Sequence, residues 1–246
     1  MTSFPPVAGL KREQYFLDRF KASDFDPFIW HTIRSIDDAG NELLLQVTSD
    51  ALKMDGIRIN LSAKTTQLVA DLLWASLLTP KLADLIWLQR DVTIEPKLRA
   101  FGSSTVLMIS HSEAINRVLK ADALYLPETS LVSTVGKHWV LDNAIAGKFI
   151  NRVAVAMNYG WHFDGAGFQS IKGELAVLPE AKRLIQGRGT RHDCNHTDYS
   201  QTASFMSRIC TLNGVEHDLV DIMVSAQWAH LVSHQGPLLI TRQPGA

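Results

Sequence analysis

Between Gly187 and Ser200 the chain reads Gly-Arg-Gly-Thr-Arg-His-Asp-Cys-Asn-His-Thr-Asp-Tyr-Ser. His192, Asp193, Cys194, His196, Asp198, Tyr199 and Ser200 crowd into a stretch of nine positions. Each is of a type that binds metals, moves protons or attacks electrophiles. A polar run this dense has no apolar face to bury, so it is expected at a site rather than in the core.

Three chemistries fit these residues. The first is a metal site. His192 and His196 stand four apart, as do His230 and His234, and Asp198 adds a hard oxygen ligand, so His192, His196 and Asp198 form a candidate zinc set with an open position for water. No His-Glu-x-x-His signature accompanies them. The second is a thiol nucleophile. Cys194 precedes a possible helix whose N-terminus would favour thiolate, with His162 as base, an order similar to permuted papain-like hydrolases. The third centres on Ser200 or Tyr199, with His196 as base and Asp198 as the group that orients it. Against it, Asp198-Tyr-Ser-Gln201 has the form of a capping box, in which Asp198 caps a helix and Ser200 is an ordinary first-turn residue. Tyr159 and Trp161, beside Gly160, could line a sugar or peptide cleft. Arg188 and Arg191 could hold an anionic group.

The elements that must position these residues are legible in part. Residues 11–22 pattern as an amphipathic helix. Leu43–Thr48 and Gly56–Asn60 pattern as strands. Ser62 caps a predicted helix running to Leu78, and Thr79-Pro80 opens another. Thr105–Ile109 resembles a short strand, and Ser110…Glu113 has capping-box form. Further strands are predicted over Arg152–Phe163, Gln169–Val177, Arg183–Gln186 and Leu238–Thr241, while Ser200–Cys210 fits either a helix or a strand. Asn213-Gly214 marks a turn before two short helices. The expected class is α+β, with a helix-rich N-terminal half packed on a mostly antiparallel C-terminal sheet. The chain is read as one composite domain over 1–246, with a possible division into 1–134 and 135–246, the second part carrying the site.

Composition narrows the function classes. With 246 residues, 46% of them hydrophobic, the chain can bury a substantial core. A net charge of -1 with well-mixed signs gives no electrostatic footprint for nucleic acid. No apolar run is long enough to span a bilayer. Two cysteines cannot make a disulfide scaffold or a thiolate-dominated structural zinc site. The first residues lack the basic and apolar regions of a signal peptide. A small-molecule, glycan or peptide ligand is the expected partner, and a homo-oligomer is compatible with the His-rich tail.

Several blocks carry a resemblance. Leu78-Thr-Pro-Lys-Leu-Ala-Asp-Leu-Ile-Trp87 is similar to a block ending in Asp-x-Ile-Trp, and Tyr159-Gly-Trp-His162 to a Tyr-Gly-Trp-His block. Asp198-Tyr-Ser200, with His196 before it, resembles a His…Asp-Tyr-Ser block, and Ser233-His-Gln-Gly-Pro237 a Ser-x-x-Gly-Pro ending. Gly136-Lys137-His138-Trp139 matches a Gly-His-Lys-Lys block only in part. Together, over roughly residues 70–240, these resemble a family of bacterial proteins, many of them secreted, with no established activity. The resemblance implies that Cys194 is dispensable, and it favours His162, His196, Asp198, Tyr199 and Ser200. A secreted or periplasmic origin is likewise what the resemblance implies.

The reading that follows is a hydrolase of a cell-wall-type peptide or glycan. His162 and His196 would be base or ligand, Asp198 would orient them, and the site would lie where the Tyr159–His162 strand end meets residues 188–200. The competing class is a binding module that uses Tyr159, Trp161 and the polar cluster for recognition.

Overall fold

A computed structural model describes residues 4–164 and 183–246. Helix α1 (Leu10–Lys21) opens the chain and buries Phe16 and Phe20, one turn apart. The hairpin of β1 (Trp30–Ile36) and β2 (Glu42–Thr48) follows, then the two-residue strands β3 (Lys53–Met54) and β4 (Ile57–Arg58) across a tight turn. Asp55 and Gly56 make that turn with positive φ values of 53° and 75°.

Helix α2 (Ala63–Leu72) starts where Ser62 accepts the Thr65 N–H. Helix α3 (Pro80–Gln89) starts where the Thr79 hydroxyl accepts the Leu82 N–H, with Pro80 in the first turn where its missing N–H costs nothing. Between them the chain makes β5 (Ala75–Ser76). Helix α4 (Thr105–Ala121) is followed by an irregular stretch to β6 (Lys137–Val140). Then come β7 (Phe149–Ile150), β8 (Val153–Phe163), β9 (Arg183–Asp193), β10 (Met206–Leu212), β11 (Val215–Asp218) and α5 (Leu219–Val224).

Two antiparallel sheets result. One runs β1-β2-β10-β11, with β5 also pairing β10. The other is built around β8, which pairs with β6, β7 and β9. From Ala154 to Phe163 every residue of β8 is buried, so it loses the alternation of a one-faced strand and serves as the spine of the molecule. A bridge between Leu78 and Val140, and the Trp139 indole N–H donated to the Leu61 carbonyl at 2.9 Å, tie this sheet to the helical segments. One cluster of buried apolar side chains runs from Phe4 through Leu45, Leu78 and Tyr159 to Leu238, crossing the 134/135 boundary. Among the described residues no helix is long and apolar enough to cross a membrane.

The class is α+β, but the halves are not segregated as predicted. β2, from the first half, hydrogen-bonds to β10, from the second. Residues 105–109 are the first turns of α4, capped by Ser104 rather than Ser110. The apolar run there is a helix face. The helix from Ser62 stops at Leu72, because Trp74 takes a positive φ of 52° and β5 begins. The strand predicted over Arg183–Gln186 extends to Asp193 as β9, so it takes in the first part of the polar run, and residues 238–241 form no strand. The strand predicted over Gln169–Val177 lies outside the described residues.

Candidate active site

The focus of the second sheet is Asp84, on α3. Its side chain is 3% exposed, and three groups reach it. The Tyr159 hydroxyl donates to Oδ1 at 2.8 Å, His162 Nε2 lies 2.9 Å from the same oxygen, and His234 Nε2 lies 3.3 Å from Oδ2. His162 is fully buried. Its Nδ1 faces the Thr134 hydroxyl at 3.0 Å, and that hydroxyl also accepts the His162 backbone N–H. With Nε2–H given to the carboxylate, Nδ1 is the acceptor and the ring is a neutral, fixed tautomer. Trp87, one turn along α3 from Asp84, stacks on His162 with centroids 5.5 Å apart, and the Arg90 guanidinium lies 3.7 Å from the Trp87 ring.

Tyr159 and His162 stand three apart, and in a regular strand they would point to opposite faces. Both reach one carboxylate oxygen because β8 is irregular at this point. Gly160 and Trp161 take positive φ values of 104° and 62°, and the pairing with β9 slips between Asn158 and Gly160. The Gly-Trp step rotates the strand so that its flanking residues converge. A bulky residue such as Trp161 in this region is strained, and its packed surroundings hold it there.

The electrostatics follow from these contacts. Burial raises the Asp84 carboxyl, but hydrogen bonds from His162 and His234 outweigh it, so Asp84 stays below the usual carboxylate range. Burial pushes His162 down and keeps it neutral. Burial and the Asp84 charge together push the Tyr159 phenol up, so it remains a donor.

A second buried carboxylate is linked to this one. Asp142, fully buried, accepts a two-pronged pair from Arg188 at 2.9 and 2.8 Å, the Gln235 amide at 2.6 Å and the Ala144 N–H at 2.7 Å. His234 and Gln235 are adjacent, so one short segment joins both carboxylates.

The segment from Arg188 to Ser200 is not gathered at Asp84. Asp198 pairs with Lys137, and its Oδ1 accepts both the Ser200 N–H at 2.8 Å and the Ser200 hydroxyl at 2.7 Å. This closes a local turn. No helix follows, so Asp198 does not act as a helix cap. Ser200 is 1% exposed, and Tyr199 bonds the Arg99 backbone while standing edge-on to His111 and Trp161. Tyr159, Trp161 and Tyr199, expected above to recognise a ligand, are 1%, 2% and 6% exposed, so none presents an open ring face.

His162 and His196 do not meet. The His196 ring lies edge-on to Trp139, which pairs with Asn158. His162 is four residues further along β8, about 13 Å at ordinary strand rise. Cys194 donates its N–H to Ala154, eight residues from His162 on the same strand, and burial raises its thiol. The thiol–imidazole dyad is therefore not formed. His192 and His196 stack face to face with centroids 3.8 Å apart, so their in-plane lone pairs run parallel instead of converging on an ion. His230 and His234 turn to different carboxylates, Asp37 and Asp84. Among the described residues no group of three or more His, Cys, Asp or Glu side chains is placed to hold a metal. The zinc set His192, His196 and Asp198 does not fit a metal as arranged.

Sequence patterning alone does not single out Asp84, Asp142 or Lys137, and it marks His234 only by its spacing from His230. A signal for Asp84 was nonetheless present. The Asp-x-Ile-Trp, Tyr-Gly-Trp-His and Ser-x-x-Gly-Pro blocks each supply residues to its surroundings: Asp84 and Trp87, Tyr159 and His162, and His234. Comparison with family models, curated proteins and solved structures finds no match to this chain.

Proposed function

We propose that the chain is a hydrolase of a cell-wall-type peptide or glycan, with Asp84 and His234 as its acid–base pair. One observation carries this reading. The Asp84 carboxylate gives one oxygen to buried groups and turns the other toward His234, whose side chain is 59% exposed. With Nε2–H donated to Asp84, His234 keeps Nδ1 as a base able to take a proton from water. Asp84 would fix the tautomer and stabilise the imidazolium that forms, the role a buried aspartate plays behind a catalytic histidine. His162 and Tyr159 hold Asp84 in place and are positioning residues. Arg188, whose charge acts on Tyr159 and which is tied to Asp142, would face developing negative charge.

The test is turnover of disaccharide-peptide cell-wall fragments. His234→Ala is expected to lower kcat by about 10²–10⁴-fold with an unchanged unfolding midpoint, the range typical of a lost general base. An unchanged kcat in that variant overturns the acid–base assignment. No release of product from any fragment by the unaltered chain overturns the substrate class.

A further inference from the structure

Beyond this pair the second sheet carries a cleft of about 570 Å³, within the size range of small-molecule sites. Its origin is in the register of β8 and β9. Ala156 pairs with His192 and Asn158 with Gly189, so Met157 faces two residues of β9; Gly160 then pairs with Gln186, and Tyr159 also faces two. Two bulges in close succession lift β9 and open a hollow beside it.

The lining has a marked chemical character. Lys148, Arg188, Arg191 and His192 contribute cations or imidazole, and no carboxylate lines the cleft among the described residues. Arg188 is balanced by Asp142, whereas Lys148 and Arg191 have no ion-pair partner among the described residues. Asn158 forms part of the floor. It is 1% exposed, and its amide nitrogen and oxygen both lack a hydrogen-bond partner among the described residues. A buried amide left this way bears the desolvation penalty of both groups, unless something entering the cleft completes it. The Gln186 amide is folded over Gly189, where a Cβ would fall 2.6 Å from its nitrogen, so glycine leaves that wall its shape.

We infer that this cleft binds a hydroxylated anion, a sugar carrying a phosphate or carboxylate, with Lys148 and Arg191 on the anionic group and Asn158 on a hydroxyl. The cations require an oxyanion. The unpartnered Asn158 oxygen requires a donor, which a fully ionised anion such as sulfate lacks and a sugar hydroxyl supplies. Arg188 lines this cleft, and its charge also reaches Tyr159, which bonds Asp84. As a substrate class for the hydrolase the inference rests on the reading above; as a binding site it stands on the cleft alone.

Isothermal titration of the full chain with glucose 6-phosphate and with glucuronate tests it and separates the two anion sources. Saturable binding of at least one is expected, weakened at least tenfold in Arg191→Ala and in Asn158→Leu and weakened by added salt. Because Asn158 is buried, Lys148→Ala and Arg191→Ala, both at exposed positions, keep the test decisive if the Asn158 variant does not fold. His234→Ala should bind within twofold of the unaltered chain, so loss of turnover and loss of binding are read separately. Absence of saturable binding to both sugars, or binding that Arg191→Ala and Lys148→Ala leave unchanged, overturns the inference. Inorganic sulfate, which has no donor, binding as tightly as glucose 6-phosphate overturns the hydroxyl contact.

Discussion

Asp84 and Asp198 are both held in the ionised form against burial, yet they are assembled in opposite ways. The partners of Asp84 lie 75, 78 and 150 residues away in the chain. Asp198 draws two of its bonds from Ser200 and one from Lys137, 61 residues away. Burial raises the Asp198 carboxyl, and the Lys137 charge together with the hydrogen bonds from Lys137 and Ser200 outweighs it. A carboxylate bonded mainly to its own turn shapes that turn. A carboxylate that gathers remote segments shapes the interior, and here it also reaches an exposed imidazole. The densest cluster of reactive residue types in the sequence thus marks a turn and a strand, while the assembled centre is built from residues scattered along the chain.

The sharpest way to break this comparison is to remove each carboxylate. Asp84→Ala leaves the Tyr159 hydroxyl and His162 Nε2–H buried without an acceptor, and an unsatisfied buried group costs about 1–3 kcal/mol. A loss of about 3–5 kcal/mol is expected in urea unfolding, the range for breaking a buried pair. Asp198→Ala, at a side chain 19% exposed, is expected to cost about 1–2 kcal/mol. Equal losses would mean that the two centres do not differ in kind.

Gly160→Ala addresses how β8 delivers Tyr159 and His162 to one oxygen. At φ 104° an alanine is strained, and its Cβ would lie 3.4 Å from His138. A cost of about 1–3 kcal/mol is expected. Tryptophan fluorescence should also shift, since Trp87 stacks on His162. A Gly160→Ala protein as stable as its parent would show that the Gly-Trp step is not what turns the strand.

How much of this was legible depends on the range of the interactions. Ser62 and Thr79-Pro80 announce their helices because capping is settled within four residues. The α4 start is misread because Ser104 and Ser110 are both suitable caps, and the Val106-Leu-Met-Ile109 run fits a strand as readily as a helix face. Asp84 sits among apolar neighbours and looks like a polar position on an amphipathic helix. Nothing within ten residues of it reveals that a tyrosine and two histidines converge there. The β9 bulges that open the cleft are likewise a property of pairing, and no residue pattern in 183–193 states where the partner strand slips.

Acidification probes the interior shared by the two centres. Burial pushes His138, near His162, down to about 3. Burial, with the Arg58 and Arg99 charges, pushes His111, beside Tyr199, down to about 3 as well. In the unfolded chain both would take a proton near pH ~6.5, while in the fold they stay neutral. The unfolded state therefore binds more protons between about pH 6.5 and about 3, and stability must fall as pH drops through that window. His111→Phe keeps the edge-on contacts with Trp161 and Tyr199 and removes one titrating group. Its plot of unfolding free energy against pH is expected to be shallower by about 1.4 kcal/mol per pH unit between about pH 6 and 4. An unchanged slope would place a proton on His111 in the folded state.

The smallest expected effect decides what Ser200 is. As a nucleophile it would need its hydroxyl aimed at a base and open to a ligand. Instead that hydroxyl is donated to Asp198 Oδ1, an oxygen already accepting the Ser200 N–H, and the residue is almost fully enclosed. Ser200→Ala removes one hydrogen bond and leaves the backbone bond of the turn intact, so a loss of about 0.5–1.5 kcal/mol is expected, with kcat unchanged. If kcat instead collapsed while the unfolding midpoint held, the Asp198 turn would be the chemical centre and Asp84 the structural one, because a turn that merely holds its own backbone cannot transmit so selective a loss to turnover.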